Sequence, residues 1–380
     1  MDMQEMKRIF SSNEGIVLTF IFTLIFIITN LIMVDFAGVQ ELIIGQDQTP
    51  FFILILIVIL AYLFKNSKVE MNQTRFLFIT VWSLYVLSIF ISMVVNRDFV
   101  WTEGFVLVML SVMFCFRLPR ELLTIIVISA LISLPALLLQ PHVLNETGAT
   151  FVLIYTAGLM FLPRSNKAML YYGLPAFALL LVMTHSRTAI AVFVVVTVIQ
   201  LIYINLYQKS GRDRRRFFIV LAAVLLGVII AFIRPIYNFF IGGSITSDGT
   251  DLNQLTSGRF EPWMHVVDNM SWFGEGRDYI DFTSLLHVHN IFFDTLGRYG
   301  LITTLLFTVL LIGALIIALR SVRTFHIALY IFTFILIGMT EYNYLFMFVY
   351  FSPVILLFAI VSYMIETADI NYFKHLHPFR

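Results

Sequence analysis

Runs of Ile, Leu, Val and Phe along this chain repeatedly reach the ~20 residues that a helix needs to cross ~30 Å of hydrocarbon. The breaks between them predict helices near 16–34, 47–64, 76–95, 100–116, 121–139, 149–162, 168–184, 188–207, 217–239, 291–319, 324–340 and 344–364. The sixth run is short, and the seventh and eighth, meeting between Thr184 and Thr188, can also be read as one broken helix. From Ile241 to Asn290 the apolar pattern lapses, and Gly, Ser, Asp, Trp and His mix in. The expectation is an all-α fold, a polytopic transmembrane helical bundle of about 12 spans. It forms a single integral membrane domain over 1–380, with 241–290 as a long extracytoplasmic loop between spans 9 and 10.

Composition agrees. Of 380 residues, 60% are hydrophobic and 12% charged, where a soluble domain is about 25% charged. Such a chain could not cover its apolar surface with polar groups in water, so its solvent is lipid. The lone cysteine, Cys115, rules out an internal disulfide and is expected to pack inside its apolar run. No cleavable signal peptide is expected, because the first run is long enough to span and no small-residue cleavage site follows it.

Basic residues stay on the cytoplasmic side of a membrane, so alternate connections should differ in Lys and Arg. They do: 18 of the 24 fall in one set, from Lys7 and Arg8 to Lys374 and Arg380. Both termini are then cytoplasmic. The other set holds Arg97, Arg187, Arg234, Arg259, Arg277 and Arg298, which topology gives no reason to be outside. The basic run Arg212 to Arg216 reads as a topology anchor on anionic lipid. No nucleic-acid partner is expected. With no separate nucleotide-binding domain and no Walker-type phosphate loop, the chain is not an ATP-driven pump by itself.

A loop as long as 241–290 is usually functional or disordered. Disorder is not expected, because Trp263, Met264, Trp272, Phe273, Tyr279, Phe282, Leu285 and Leu286 supply apolar surface for a small folded cap. Within it, Ser257-Gly258-Arg259 precedes Trp263. Backbone amides near a glycine, next to a guanidinium, suit an anionic oxygen such as phosphate. His287-Val288-His289-Asn290 follows where the loop re-enters the membrane. A boundary histidine can take a proton from a hydroxyl at neutral pH, or serve only as a polar anchor. A zinc site of His265, His287 and His289 matches no common spacing. Ser186-Arg187 opens the eighth run on the outer side. An arginine there either meets an anion or snorkels at the interface.

Together these residues resemble the O-antigen ligase and polymerase family of bacterial polytopic glycosyltransferases. The resemblance rests on Ser186-Arg187, on Ser257-Gly258-Arg259 with Trp263, and on His289-Asn290 after a long loop. In that family the histidine is followed by Asn, Ser or Gln, nine residues, Gly, two more, Gly and a small polar residue. Here Gly300 stands after the nine residues, and Thr303 replaces the second glycine, a departure that bears on helix packing more than on chemistry.

The resemblance implies a GT-C-like fold and transfer of a glycan from an undecaprenyl pyrophosphate-linked donor to a glycan acceptor hydroxyl. The site would lie on the outer face of the bacterial inner membrane and use no metal or cofactor. Arg187 and Arg259 would stabilise the leaving diphosphate, and His289 would activate the acceptor, inverting the anomeric carbon. Asn290 would orient the imidazole or a sugar. Ser186, Ser257, Gly258, Trp263, His287, Arg277 and Arg298 are further binding candidates. The expected activity is polymerisation of lipid-linked repeat units for O-antigen, capsule or exopolysaccharide, with a chain-length regulator as an additional partner. The alternatives are ligation to lipid A core or protein, and a flippase or transporter for the lipid-linked oligosaccharide.

Overall fold

The computed structural model describes residues 11–33, 49–69, 71–139, 144–162, 165–183, 186–208, 245–246, 249–250, 258–280, 288–320, 324–340 and 355–365. The ninth predicted span and Arg234 lie outside them.

The described chain is an all-α bundle. Eight helices precede the loop: α1 Asn13–Met33, α2 Thr49–Asn66, α3 Gln73–Val95, α4 Trp101–Cys115, α5 Arg120–Ser133, α6 Leu144–Leu159, α7 Asn166–Met183 and α8 Arg187–Gln208. The loop carries a short helix, α9 (Phe260–Asp268), and α10 (Ile291–Leu319), α11 (Phe325–Gly338) and α12 (Ile355–Ile365) follow. A pair of two-residue strands, Ile245–Thr246 and Gly249–Thr250, forms a hairpin. The sixth run is thus a helix, and the seventh and eighth are two helices packed face to face, antiparallel through Phe177 on Phe193 and Asn166 on Asn205.

Asn13–Ile32, Gln73–Val95, Arg120–Leu138, Arg187–Leu206 and Ile291–Leu319 are each long and apolar enough to cross a membrane. Their outward faces carry Phe20, Leu87, Val94, Ile132 and Ile316, all exposed, as suits a lipid solvent. Lipid offers backbone groups no partner, which is why the chain there is helical. Side-chain hydroxyls solve the same problem by bonding back one turn: Thr19 to the Gly15 carbonyl, Ser111 to Leu107, Thr156 to Val152. Between helices the remaining polar groups pair off. Asn30 in α1 donates to Ser133 in α5 at 2.9 Å, and Gln200 in α8 meets His326 in α11 at 3.0 Å. Such bonds add to packing where hydrophobic association is absent.

The helix that positions the site is α10. It lies between α3 and α11 and is broken at Gly300, whose φ of +85° and ψ of −179° are not helical. In a regular helix Leu301 N–H would bond the Gly297 carbonyl. Here Leu301 N–H donates to Ser271 O at 2.9 Å, and Gly297 O accepts from Glu275 N–H at 2.8 Å. The loop strand 271–275 therefore supplies the partners that the break leaves over. Gly274 and Gly300 make the crossing possible: a Cβ on either would come within 2.4 Å of backbone on the other segment. Thr303 is fully buried and donates to Ser88 in α3 at 3.0 Å, so a small polar pair closes this contact.

Candidate active site at one end of the bundle

His289 is held at the joint between loop and α10. Asn290 caps α10: its Oδ1 accepts from Phe292 N–H at 2.9 Å and Phe293 N–H at 3.2 Å, and its Nδ2 donates to Met339 O at 2.9 Å. The cap needs Asn290 extended and forces a sharp turn before it. His289 accordingly adopts φ +51°, a left-handed conformation that costs an L-residue about 1–2 kcal/mol. Trp263 holds the turn from the other side. Its indole N–H donates to Val288 O at 2.6 Å and its ring stacks on Phe293 with centroids 5.5 Å apart. The side chain of Asn290 is thus engaged by helix ends.

Arg259 opens α9, directly after Gly258 at φ +82°. Its guanidinium donates to Thr340 O, just past α11. A cation at a helix C-terminus satisfies a leftover carbonyl and complements the dipole. The last carbonyls of α11 thus collect both Asn290 and Arg259, placing arginine and histidine at one end of one helix. Burial first, and the Arg259 charge second, hold the His289 imidazole down from 6.5 to about 4. His289 is therefore neutral at pH 7, with a ring nitrogen lone pair unprotonated, and is a weaker base than a free imidazole.

Arg187 is the exposed first residue of α8, after Ser186, whose hydroxyl caps the helix by accepting from Ala189 N–H at 3.2 Å. The C-terminal half of α8 lies beside the start of α11, through Gln200 on His326 and Tyr203 stacked on Phe325 at 3.8 Å. The helices run antiparallel, and from that pairing each rises about 20 Å in the same direction. Arg187 and Thr340 therefore reach the same end of the bundle, as α10 does with His289.

Arg277 and Arg298 have other surroundings. Arg298 is buried and donates to both oxygens of Glu103 in α4, at 3.0 and 3.2 Å. The Tyr299 hydroxyl donates to Glu103 at 3.1 Å. Arg277 reaches Glu103 at 3.4 Å and Asp98 at 3.3 Å. Beneath them Tyr279 donates to Asp294; burial, then the Asp294 charge, raise its hydroxyl far above the ordinary range, so it stays protonated. Gly297 admits the Tyr279 ring, since a Cβ there would meet it at 2.3 Å. Two arginines and two carboxylates thus clamp the loop and α10 to the α3–α4 turn.

Two carboxylates at this end were not among the sequence candidates. Glu103 and Glu146 stand near span ends, where a charge reads as interfacial, yet they are 6% and 5% exposed. Glu146 is in the first turn of α6, where burial raises its carboxyl above the ordinary carboxylate range against the opposing pull of a backbone hydrogen bond and the Arg259 charge. The cap is also less closed than its apolar residues suggested: Trp272 is 64% and Met264 41% exposed. Trp272 sits in the strand threaded past Gly300, and an exposed indole suits a membrane interface. Ser257 and His287 lie outside the described residues, as do Phe282, Leu285 and Leu286. His265 has Asn269 beside its ring at 3.2 Å. Among the described residues no three His, Cys, Asp or Glu side chains group as a metal site would require.

The fold and the charged groups at one end define a multi-pass membrane protein of the polytopic helical class. Residues 172–308 match the O-antigen ligase family, a segment that contains Ser186-Arg187, Arg259, Trp263, His289-Asn290 and Gly300. That match supports the resemblance drawn from those motifs and, with it, a function of the O-antigen ligase or polymerase type. No curated protein matches the chain.

Proposed function

We propose that this protein is a glycosyltransferase that moves a glycan from a polyprenyl diphosphate carrier to an acceptor sugar hydroxyl, joining lipid-linked repeat units into a polysaccharide. The observation that carries it is the pairing of Arg259 and His289 on the end of α11, one a fixed cation and the other a neutral base. In the reaction, the bond between the anomeric carbon and the diphosphate oxygen breaks. The acceptor oxygen bonds that carbon from the opposite face, and its proton passes to His289. Arg259 and Arg187 stabilise the charge gathering on the diphosphate. Trp263 and Asn290 hold His289 in place through the Val288 carbonyl and the α10 cap. The site faces the outer side of the cytoplasmic membrane, with both termini inside, following the distribution of Lys and Arg.

Purified protein in micelles with lipid-linked repeat unit tests this: longer lipid-linked glycan and free polyprenyl diphosphate are expected. Failure to consume the donor with any sugar acceptor would contradict it. The matched family's description favours a second reading, ligation of a finished glycan to another acceptor. It predicts that lipid-linked repeat units alone give no elongation, while an added lipid A core or protein acceptor is glycosylated.

A further inference from the structure

We infer that Tyr279 is a positioning residue for the transfer step: its hydroxyl, anchored on Asp294 in the first turn of α10, fixes the backbone from which the His289 imidazole is presented. The inference rests on the assignment of His289 as the acceptor's base.

His289 stands at φ +51°, where an L-residue does not rest of its own accord, so the surrounding structure must hold it there. On its N-terminal side the holding point is Val288, which is fully buried. The Val288 carbonyl accepts from the Trp263 indole at 2.6 Å, and the Val288 N–H donates to the Tyr279 hydroxyl. That hydroxyl gives its own proton to Asp294 Oδ1. Asp294 is fixed in turn, since its N–H donates to Asn290 O at 2.8 Å within α10. Among the described residues its second oxygen, Oδ2, is buried with no hydrogen-bond partner, so Tyr279 supplies the side chain's hydrogen bond. Tyr279, Val288, Val266 and Leu296 close around the bond as one buried apolar cluster.

Packing alone does not account for this pair. Phenylalanine would fill the same space over Gly297, and an apolar residue at 294 would spare the cost of burying a carboxylate. What the polar pair adds is direction, because a hydrogen bond fixes an angle that an apolar contact leaves loose. The two peptides that flank Val288 are then each held, one by Tyr279 and one by Trp263, and His289 follows directly. Tyr279 retains its proton and acts through the histidine. A base displaced by about 1 Å can lose roughly 100-fold in rate.

The test compares single-turnover transfer with donor binding, using lipid-linked repeat unit and the full-length protein in micelles. Tyr279→Phe is expected to transfer at least ~10-fold more slowly and to bind the donor within about two-fold of wild type. The double variant Tyr279→Phe with Asp294→Leu separates position from stability. Removing both partners of a buried bond should restore the unfolding midpoint that the single variant loses, while transfer stays slow because the hydroxyl is still missing. If the single variant does not assemble, the double variant carries the same comparison with wild type. Recovery of transfer together with the midpoint would make Tyr279 a packing residue and overturn the inference. Wild-type transfer by Tyr279→Phe would do the same, as would donor binding lost in step with transfer. If wild type consumes no lipid-linked donor, the proposed function falls and this inference with it; if wild type transfers, His289→Ala does not, and Tyr279→Phe equals wild type, only the role of Tyr279 falls.

Discussion

Glu103→Ala removes the acceptor at the centre of the clamp, and the cost follows from its partners. Arg298 and Glu103 side chains are each 8% exposed, so the loss leaves a buried guanidinium without its carboxylate. Breaking one side of such a pair costs about 3–5 kcal/mol. The Tyr299 hydroxyl, also buried, loses its acceptor for roughly a further 1 kcal/mol. Arg277 is 51% exposed and adds little. The expected total, roughly 4–6 kcal/mol, rivals the whole stability of many domains. Glu103→Leu combined with Arg298→Met removes both charges together and is expected to recover most of it, since a buried pair replaced by apolar residues is often neutral or better. The assay is denaturant unfolding in micelles, followed by Trp fluorescence and size-exclusion profile. An unfolding midpoint for Glu103→Ala equal to wild type would refute the reasoning, as would a double variant no more stable than the single one.

Gly300→Ala should dislodge strand 271–275, because the added Cβ would lie 2.4 Å from Trp272 O and Gly274 N in a left-handed conformation; limited proteolysis reads the exposed loop, and unchanged protection counts against the threaded crossing. His289 is held near 4 by burial and by Arg259. The unfolded chain binds its proton near 6.5 and the folded one only near 4, so stability falls as pH drops through that window and is unaffected above it. Arg259→Gln removes one of the two causes, so the pH at which His289 loses reactivity toward an imidazole-modifying reagent should rise toward 6.5; no shift would separate the two residues. Arg187→Lys should impair transfer, since a point charge does not replace a planar fork on a diphosphate, and wild-type rates would leave Arg187 an interfacial anchor.

The helices were legible because lipid makes length and apolarity nearly sufficient. Gln73–Val95 and Trp101–Cys115 fall within a few residues of the runs that predicted them. The break at Gly300 was not, since 291–319 has the length and overall apolarity of one helix and no proline to interrupt it, and its partners come from a loop some twenty-five residues earlier. Ser186, Arg259 and His289 stood out in the sequence because polar groups at span ends are few and their types suit phosphate and proton transfer. The settings of Arg277 and Arg298 were not, because only the folded chain shows that Glu103, nearly two hundred residues away, receives them. Glu103 and Glu146 escaped notice for a related reason: a carboxylate near a span end looks the same in sequence whether it faces water or the core.

The central claim is that Arg259 holds a polyprenyl diphosphate while His289 takes the acceptor proton, and single-turnover transfer measured beside donor binding tests it most directly. His289→Ala should bind the lipid-linked donor like wild type and transfer it at least ~100-fold more slowly, while Arg259→Ala should lose both. Wild-type transfer by a well-assembled His289→Ala protein would contradict the account.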